Sequence, residues 1–477
     1  MKKLFLIFLI SSIVLAQNYN DAYRLGEQTI DFDAKTLSVG NSSIGALGNF
    51  SSAIINPAGL GTIKRDVLSI SFNSNGFENN ADFLNNSMTS DKRNSNTNHL
   101  SIILPLPVRK GSATIAFGYN QSRDFTSILK FNSFNNANNS MIQNLTNSNF
   151  IPDREFAWEL GLNSRINEDS DEYQTPISGK LTQSGEIIEN GFTNNWLMSG
   201  AVEVAKNLFI GATINIISGE YLKNRDYYEE DLPNNTYTGL IDPDYPETED
   251  FQSFYLNDIV DWDINGWDFR LGLLYNFNNL LNFGATIKLP TSYVIEEKYS
   301  IYGKSEFVNN TYTVDYPGDW FEYKFTTPME LSGGISASLP LVNLNASIKF
   351  VDYSQMEYKE GFDKSELIEK NNQINEIFES TLNWNLGAEF TLPYPSLKIR
   401  GGFIYLPSPY KDDTSEYDKK YLTAGLGFPL AKSLIIDFAY VYGWWKNFGD
   451  NYGYEVSRTY QDIEINKFVL SASYVFM

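Results

Sequence analysis

The chain has 477 residues, a formal net charge of -22 and no cysteine. The charge excludes nucleic acid as a partner, because neutralising phosphates takes clustered Lys and Arg; the missing cysteine removes disulfides, thiolate metal sites and lipidation of a processed N-terminal cysteine. Hydrophobic residues make up 42% and aromatics 15%, yet mean hydropathy is -0.30, a balance that suits a membrane β-barrel, in which only alternate strand residues meet lipid.

Lys2 and Lys3 precede an apolar run from Leu4 to Leu15, and Val14 and Ala16 supply the small residues of a cleavage site. Residues 1–16 therefore read as a signal peptide, with the mature chain starting near Gln17. No later stretch approaches the ~20 continuous apolar residues of a membrane-crossing helix. Residues 17–65 are small and nearly neutral, as in "SSAIINPAGLGTIK" at Ser51–Lys64. Asn56 before Pro57 fits a turn or helix start, since Asn caps exposed N–H groups and Pro presets φ at the first helical position. Ala58 and Gly59 complete the motif, and Gly45, Gly48, Gly59 and Gly61 permit close backbone packing. A hatch inside a barrel is the economical reading; an ordinary Asn-Pro turn in a periplasmic tail is the plainer one.

Over residues 66–477, period-two alternation marks fourteen strands. Twelve lie near 66–77, 97–107, 111–122, 193–205, 208–223, 262–277, 280–298, 320–339, 342–357, 380–392, 397–406 and 420–429, and "SLIIDFAYVYGWW" and "KFVLSASYVFM" complete the set. In the last, Phe468, Leu470, Ala472, Tyr474 and Phe476 share one face; this strand is also where the barrel assembly machinery is expected to engage. Short turns alternate with long polar stretches near 78–96, 123–192, 224–261, 301–319, 358–379, 407–419 and 448–460. The pattern predicts an all-β fold, a 14-stranded antiparallel transmembrane β-barrel in the bacterial outer membrane. A soluble sandwich would instead expose charges opposite its buried aromatics. The Trp residues of "DINGWDF" and "YGWWKNF" are expected in aromatic girdles.

Along the barrel, the single histidine, His99, shares a strand face with Ser101, a pairing that raises an acyl hydrolase and is equally explained by a polar lumen. No nucleophile-elbow glycine pattern surrounds any Ser, so no enzyme and no cofactor is expected. Phe125, Ile128, Leu129 and Phe131 read either as an external apolar patch that captures greasy ligands or as a strand extended above the membrane. Residues 226–250 hold nine acidic residues and no basic one; the spacing matches no calcium loop and suits a solvated loop, compatible with divalent bridging to lipopolysaccharide and membrane lipids. "SELIEKNNQINEIFES" places Leu367, Ile374, Ile377 and Phe378 at helical spacing. Alternation turns Arg270, Lys288, Lys349, Lys398 and Arg400 into the lumen together with Asp268, Glu330, Glu389 and Asp437. The default reading is a self-neutralising network.

The segment "SVGNSSIGALGNFSSAIINPAGLG" resembles the hatch of the long-chain fatty acid and hydrocarbon transporter family (FadL/TodX-like outer-membrane proteins). The likeness continues through "GWDFRLGLLYNFNNLLNFGATIKLP", "PMELSGGISASLPLVNLNASIKFVDYSQMEY", "LNWNLGAEFTLPYPSLKIRGGFIYLPSPY" and "YLTAGLGFPLAKSLIIDFAYVY". It implies passive uptake of hydrophobic small molecules such as fatty acids or hydrocarbons, an external apolar site, a deeper site against the hatch, and lateral exit at a kinked third strand. Gly118, lumen-facing in "GSATIAFGYNQS", is the candidate kink, with spare room for a neighbour as its alternative. Arg270 or Arg400 first would receive an acyl carboxylate. The 123–192 and 224–261 loops depart from the family pattern. A secretion shuttle or surface scaffold on the same hatch and strands is the alternative, and an open porin is disfavoured by the hatch.

Overall fold

The structure, a computed structural model, describes residues 19–30, 32–46, 48–167, 172–278, 280–394, 396–453 and 455–476; the expected signal peptide lies outside them. Fourteen antiparallel strands close on themselves. They are β1 (Val67–Phe83), β2 (Asn86–Leu106), β3 (Ala113–Asp124), β4 (Thr182–Ala205), β5 (Leu208–Glu230) and β6 (Phe251–Phe277), followed by β7 (Leu281–Lys288 continuing as Ser292–Phe307) and β8 (Trp320–Thr326 continuing as Glu330–Ser338). The circuit ends with β9 (Val342–Asp352), β10 (Ser380–Thr391), β11 (Lys398–Leu406), β12 (Lys419–Ala431), β13 (Leu434–Asp450) and β14 (Arg458–Val475). Pairing of β1 with β14, from Val67↔Val475 to Phe83↔Thr459, seals the cylinder, which leaves no free sheet edge in lipid.

Alternation is visible in the packing. On β14, Phe468, Leu470 and Tyr474 are exposed to the bilayer, whereas Lys467, Val469 and Ser471 are buried inside. Trp196 and Trp267 face outward, with Tyr119 packed on Trp196 at 5.2 Å between ring centroids, as an interfacial girdle requires. Trp445 departs from that expectation: it turns inward against Tyr421 at 6.2 Å, because the strand carries two adjacent Trp residues and only one can face lipid.

The stretches expected as loops are shorter than the polarity suggests. β1 and β2 run on to a two-residue turn at Leu84–Asn85, both with positive φ, and β5 and β6 continue to Glu230 and Phe251. Above the membrane both faces of a strand meet water or other loops, so Asn and Ser replace the alternation that reveals strands within lipid. Residues Ser127–Phe134 form a further strand against β4, from Ser127↔Glu189 to Phe134↔Thr182. Phe125, Ile128 and Phe131 are buried there; Leu129 packs half-buried on the core that holds Phe131, and Phe125 joins a separate one with Tyr221 and Trp262. No exposed patch results: the strand extension turns Phe131 onto Phe83, 4.8 Å between centroids, over the space left by Gly185.

Helices α1 (Tyr19–Gly26), α2 (Ala34–Ser38) and α3 (Ser52–Ile55) lie ahead of β1; α4 (Met141–Thr146), α5 (Ile151–Glu159) and α6 (Lys364–Ile377) lie in the loops. Ile374 of α6 and the adjacent Phe378 are fully buried. Under the outer loops, Phe83, Phe131, Met141, Phe156, Tyr227 and Phe251 share one apolar core. Glu229 is sealed inside it, near the outer end of β5 and beyond the ~9–11 residues a strand needs to cross lipid. Its carboxyl accepts from the Met141 and Ile142 N–H groups, Gln183 Nε2 and Tyr227 Oη at 2.6–3.3 Å. Burial nevertheless pushes its pKa up to about 7. A carboxyl so raised stabilises the fold below its unfolded value of 4.5 and loses that contribution as pH rises through 7. Between pH 5 and 8 the α4 amides are expected to lose roughly 2–3 kcal/mol of protection against hydrogen exchange, corrected for intrinsic rate. Glu229→Gln should flatten that profile.

Candidate functional site

The chain ahead of β1 descends through the bore. At the loop end, Tyr23 of α1 packs on Phe378 and Tyr410 at 6.1 and 5.4 Å, and Arg24 pairs with Glu189 of β4 at 2.8 Å. At the opposite rim, Ser112 of the β2–β3 turn donates to the Gly61 carbonyl at 2.6 Å. Between these levels the Asn56-Pro57-Ala58-Gly59 motif pins the segment to the wall. Asn56 is buried; its Nδ2 donates to the carbonyls of Ile44 (2.8 Å) and of Leu273 on β6 (3.0 Å), while its Oδ1 accepts from the Ala58 N–H at 3.2 Å. Pro57 opens the 3₁₀ turn that Asn56 caps, the arrangement in which a missing N–H costs nothing.

Sequence reasoning missed the receiving surface. Inward-facing glycines on neighbouring strands let hatch backbone touch wall backbone: Gly272 against Asn56, Gly284 against Ile44, Gly387 against Val39 and Gly402 against Gly40. A Cβ at these four positions would fall 2.0–2.2 Å from hatch atoms. Gly284 pairs with Gly334, and Gly387 with Gly402. The available signal was a mid-strand glycine recurring from strand to strand. Gly118 belongs to the same set, since its Cβ would meet the Phe50 ring at 2.6 Å. β3 does not kink there: Gly118 pairs with Ser101 and Leu197 in unbroken register. The irregularity falls between Gln121 and Arg123, and the β2–β3 ladder ends at His99↔Asn120. Beside that end Asn98 bulges inward and donates to the Phe32 carbonyl of the hatch at 2.6 Å.

His99 Nε2 shares a 2.7 Å hydrogen bond with Ser69 Oγ rather than with Ser101, and its ring stacks on Phe50 at 4.9 Å. Its Nδ1 has no partner among the described residues, so nothing orients the ring as a base.

Five inward cations divide into two groups. Arg400 is clamped between Glu389 (Nε, 2.7 Å) and Asp437 (Nη1, 2.6 Å) with its side chain 1% exposed, and Lys398 adds a 3.1 Å bridge to Glu389. Two wall cations are paired with two wall carboxylates, and Lys35 of α2 lies close enough to all four to feel their charge; Arg400 and Lys398 are engaged with the wall. In the second group Lys288 bridges Glu330 (3.1 Å) and Asp268 (3.9 Å), and Lys349 bridges Glu330 (3.0 Å) and donates to Gln28 of the hatch (2.6 Å). Arg270 stands directly across the ladder from Lys288. Among the described residues it has no carboxylate within ion-pair distance, and its buried Nε has no hydrogen-bond partner. Three cations therefore face two carboxylates. With Arg123 and Glu27 they line a largely polar cavity of about 110 Å³, whose hatch side mixes Gln28, Thr29 and Asn41 with Phe32, Ile44 and Ile54.

A closed fourteen-strand barrel with an apolar outer band, its bore occupied by its own leading segment, defines an outer-membrane transport barrel. The chain belongs to the outer membrane protein transport protein family (OMPP1/FadL/TodX), whose model matches residues 12–467. Among solved structures, a Pseudomonas aeruginosa FadL homologue is 13% identical with a TM-score of 0.57, covering 95% of this chain and 100% of that one. The P. putida toluene transporter TodX is 13% identical with a TM-score of 0.54, covering 93% and 98%. At that identity the likeness is one of fold. No curated protein matches the chain.

Proposed function

We propose that this barrel passively admits hydrophobic compounds bearing an acidic head, long-chain fatty acids foremost, through the bacterial outer membrane. The observation that carries the reading is Arg270: an inward guanidinium with no carboxylate within ion-pair distance among the described residues, opposite a like charge, beside a cavity whose hatch side includes Phe32, Ile44 and Ile54. A carboxylate there supplies the missing charge and two oxygens for the guanidinium fork, while the acyl chain lies along the hatch. Exit is sideways, where the β2–β3 ladder stops at His99↔Asn120, because the glycine-seated hatch blocks the straight path.

Charge-assisted hydrogen bonds contribute roughly 1.5–3 kcal/mol. Arg270→Gln is therefore expected to weaken binding of a fluorescent long-chain fatty acid by roughly tenfold to a hundredfold, and to leave toluene binding within about twofold. Fatty-acid affinity indifferent to Arg270→Gln would discard the acidic head and leave an uncharged hydrocarbon as cargo.

A further inference from the structure

On the outer wall the lipid-facing rows are uneven. One row across the strands reads Ile115, Gly200, Ala212 and Leu271, and the next towards the short turns reads Ala113, Val202, Ile210, Leu273 and Ala285. Gly200 and Ala212, side by side, and the alanines at the row ends leave a groove of about 700 Å³ across β3 to β7, almost wholly apolar. Its floor is stiff. The inward neighbours Gly211 and Gly272 press on Pro57 and Asn56 of the hatch, so the wall there is one backbone thick and backed by hatch.

The charge at the foot of this groove runs against the rest of the molecule. In a chain of net charge -22, the rim below β1 to β5 carries exposed Lys64 and Arg65 before β1, Arg109 and Lys110 in the β2–β3 turn, and Lys206 in the β4–β5 turn. The carboxylates at the same rim are Asp66 and Glu203, and Glu203 accepts from the Asn207 N–H at 2.9 Å. The turns below β6–β7, β8–β9 and β10–β11 hold no Lys or Arg, and the β12–β13 turn holds Lys432 alone. Apolar groove and cationic turns thus coincide on one side of the barrel, at the level of the periplasmic leaflet.

We infer that this groove is a binding site for an anionic glycerophospholipid of the periplasmic leaflet, its acyl chains lying over Gly200 and Ala212 and its phosphate among Arg109, Lys110 and Lys206. Dispersion contacts with a fixed concave floor exceed those with a convex barrel wall, and each basic residue near a lipid surface adds attraction for anionic heads. A second copy of the chain has no such use for the turn cations.

The test uses the mature barrel in detergent, offered phosphatidylglycerol or phosphatidylcholine of identical chains, with retained lipid counted by native mass spectrometry. Gly200 tolerates a side chain, since a Cβ there meets nothing closer than the Thr114 carbonyl oxygen at 3.8 Å; Gly200→Leu fills the groove without touching the hatch. Wild type is expected to retain one phosphatidylglycerol, and Gly200→Leu to retain it about tenfold less well. Arg109→Gln with Lys110→Gln should bring the two lipids to parity while chain-dependent retention persists. Equal phosphatidylglycerol retention by wild type and Gly200→Leu overturns the site, as does a wild type indifferent to head group. A wild-type dimer that Gly200→Leu dissolves would assign the groove to a second copy, and displacement of the lipid by toluene would assign it to cargo; either result overturns the proposal.

Discussion

Gly284→Val is expected to unseat the hatch and turn a closed barrel into a conducting one. A Cβ at 284 would lie 2.0 Å from the Ile44 carbonyl oxygen and 2.9 Å from Asn56 Nδ2, the two atoms that hydrogen-bond each other at 2.8 Å. The strand cannot retreat, because Gly284 is paired on one side with Leu274 and on the other with Gly334. Overpacking costs about 1–3 kcal/mol, and each buried donor or acceptor left without its partner costs about 1–3 more. Asn56 would lose its grip on Ile44 and, through the same shift, on Leu273 of the wall. Single-channel recording in planar bilayers is expected to show stable openings absent from the wild type, with the folded fraction in unheated gels falling as well. Gly333→Ala is the control on the neighbouring strand, opposite Ala285 on the lipid face, where a Cβ meets nothing nearer than 4.0 Å; it should stay within about 0.5 kcal/mol of wild type. A silent Gly284→Val channel of normal stability would mean that the seat is not what keeps the bore shut.

What was legible in the sequence follows from where lipid imposes a rule. Strand β14 could be read residue by residue because Phe468, Leu470 and Tyr474 must face hydrocarbon while Ser471 must not. Glu78 to Asp82, above that zone, obey no such rule, and the outer end of β1 and the outer half of β2 passed for loop. The Asn56-Pro57 turn was legible because both residues act on their own backbone. Gly284 was not, because its meaning lies in Ile44, 240 residues upstream, and an isolated strand glycine looks the same whether it marks a bulge or a neighbour. The same limit applies to the cations. Alternation turned Arg270 and Arg400 inward alike, yet register decides their roles: Glu389 sits opposite Arg400, whereas Lys288 sits opposite Arg270.

Arg400→Met should therefore damage the fold, and Arg270→Gln should damage binding. Removing Arg400 leaves Glu389 and Asp437, both under 10% exposed, facing each other across the lumen wall, with Lys398 and Asn343 at 3.1 Å from Glu389 and no ion pair left for Asp437 among the described residues. Truncating one member of a buried ion cluster costs about 3–5 kcal/mol, chiefly through the charges left behind. Unfolding from detergent micelles by denaturant, followed by tryptophan fluorescence, is expected to register that loss, while the ratio of fatty-acid to toluene affinity is unchanged in the protein that folds. The triple variant Arg400→Met, Glu389→Gln, Asp437→Asn should recover part of the stability, since it removes the stranded carboxylates along with the guanidinium and leaves Lys398 and Lys35 without theirs. Arg270→Gln is expected to run the other way: it relieves a like-charge pair across the β6–β7 ladder, worth up to about 1 kcal/mol, and so leaves the barrel as stable as wild type or slightly more so. If Arg400→Met retained full stability but lost fatty-acid binding, the division between a structural and a cargo-facing group would be reversed, and Arg400 would become the carboxylate receptor.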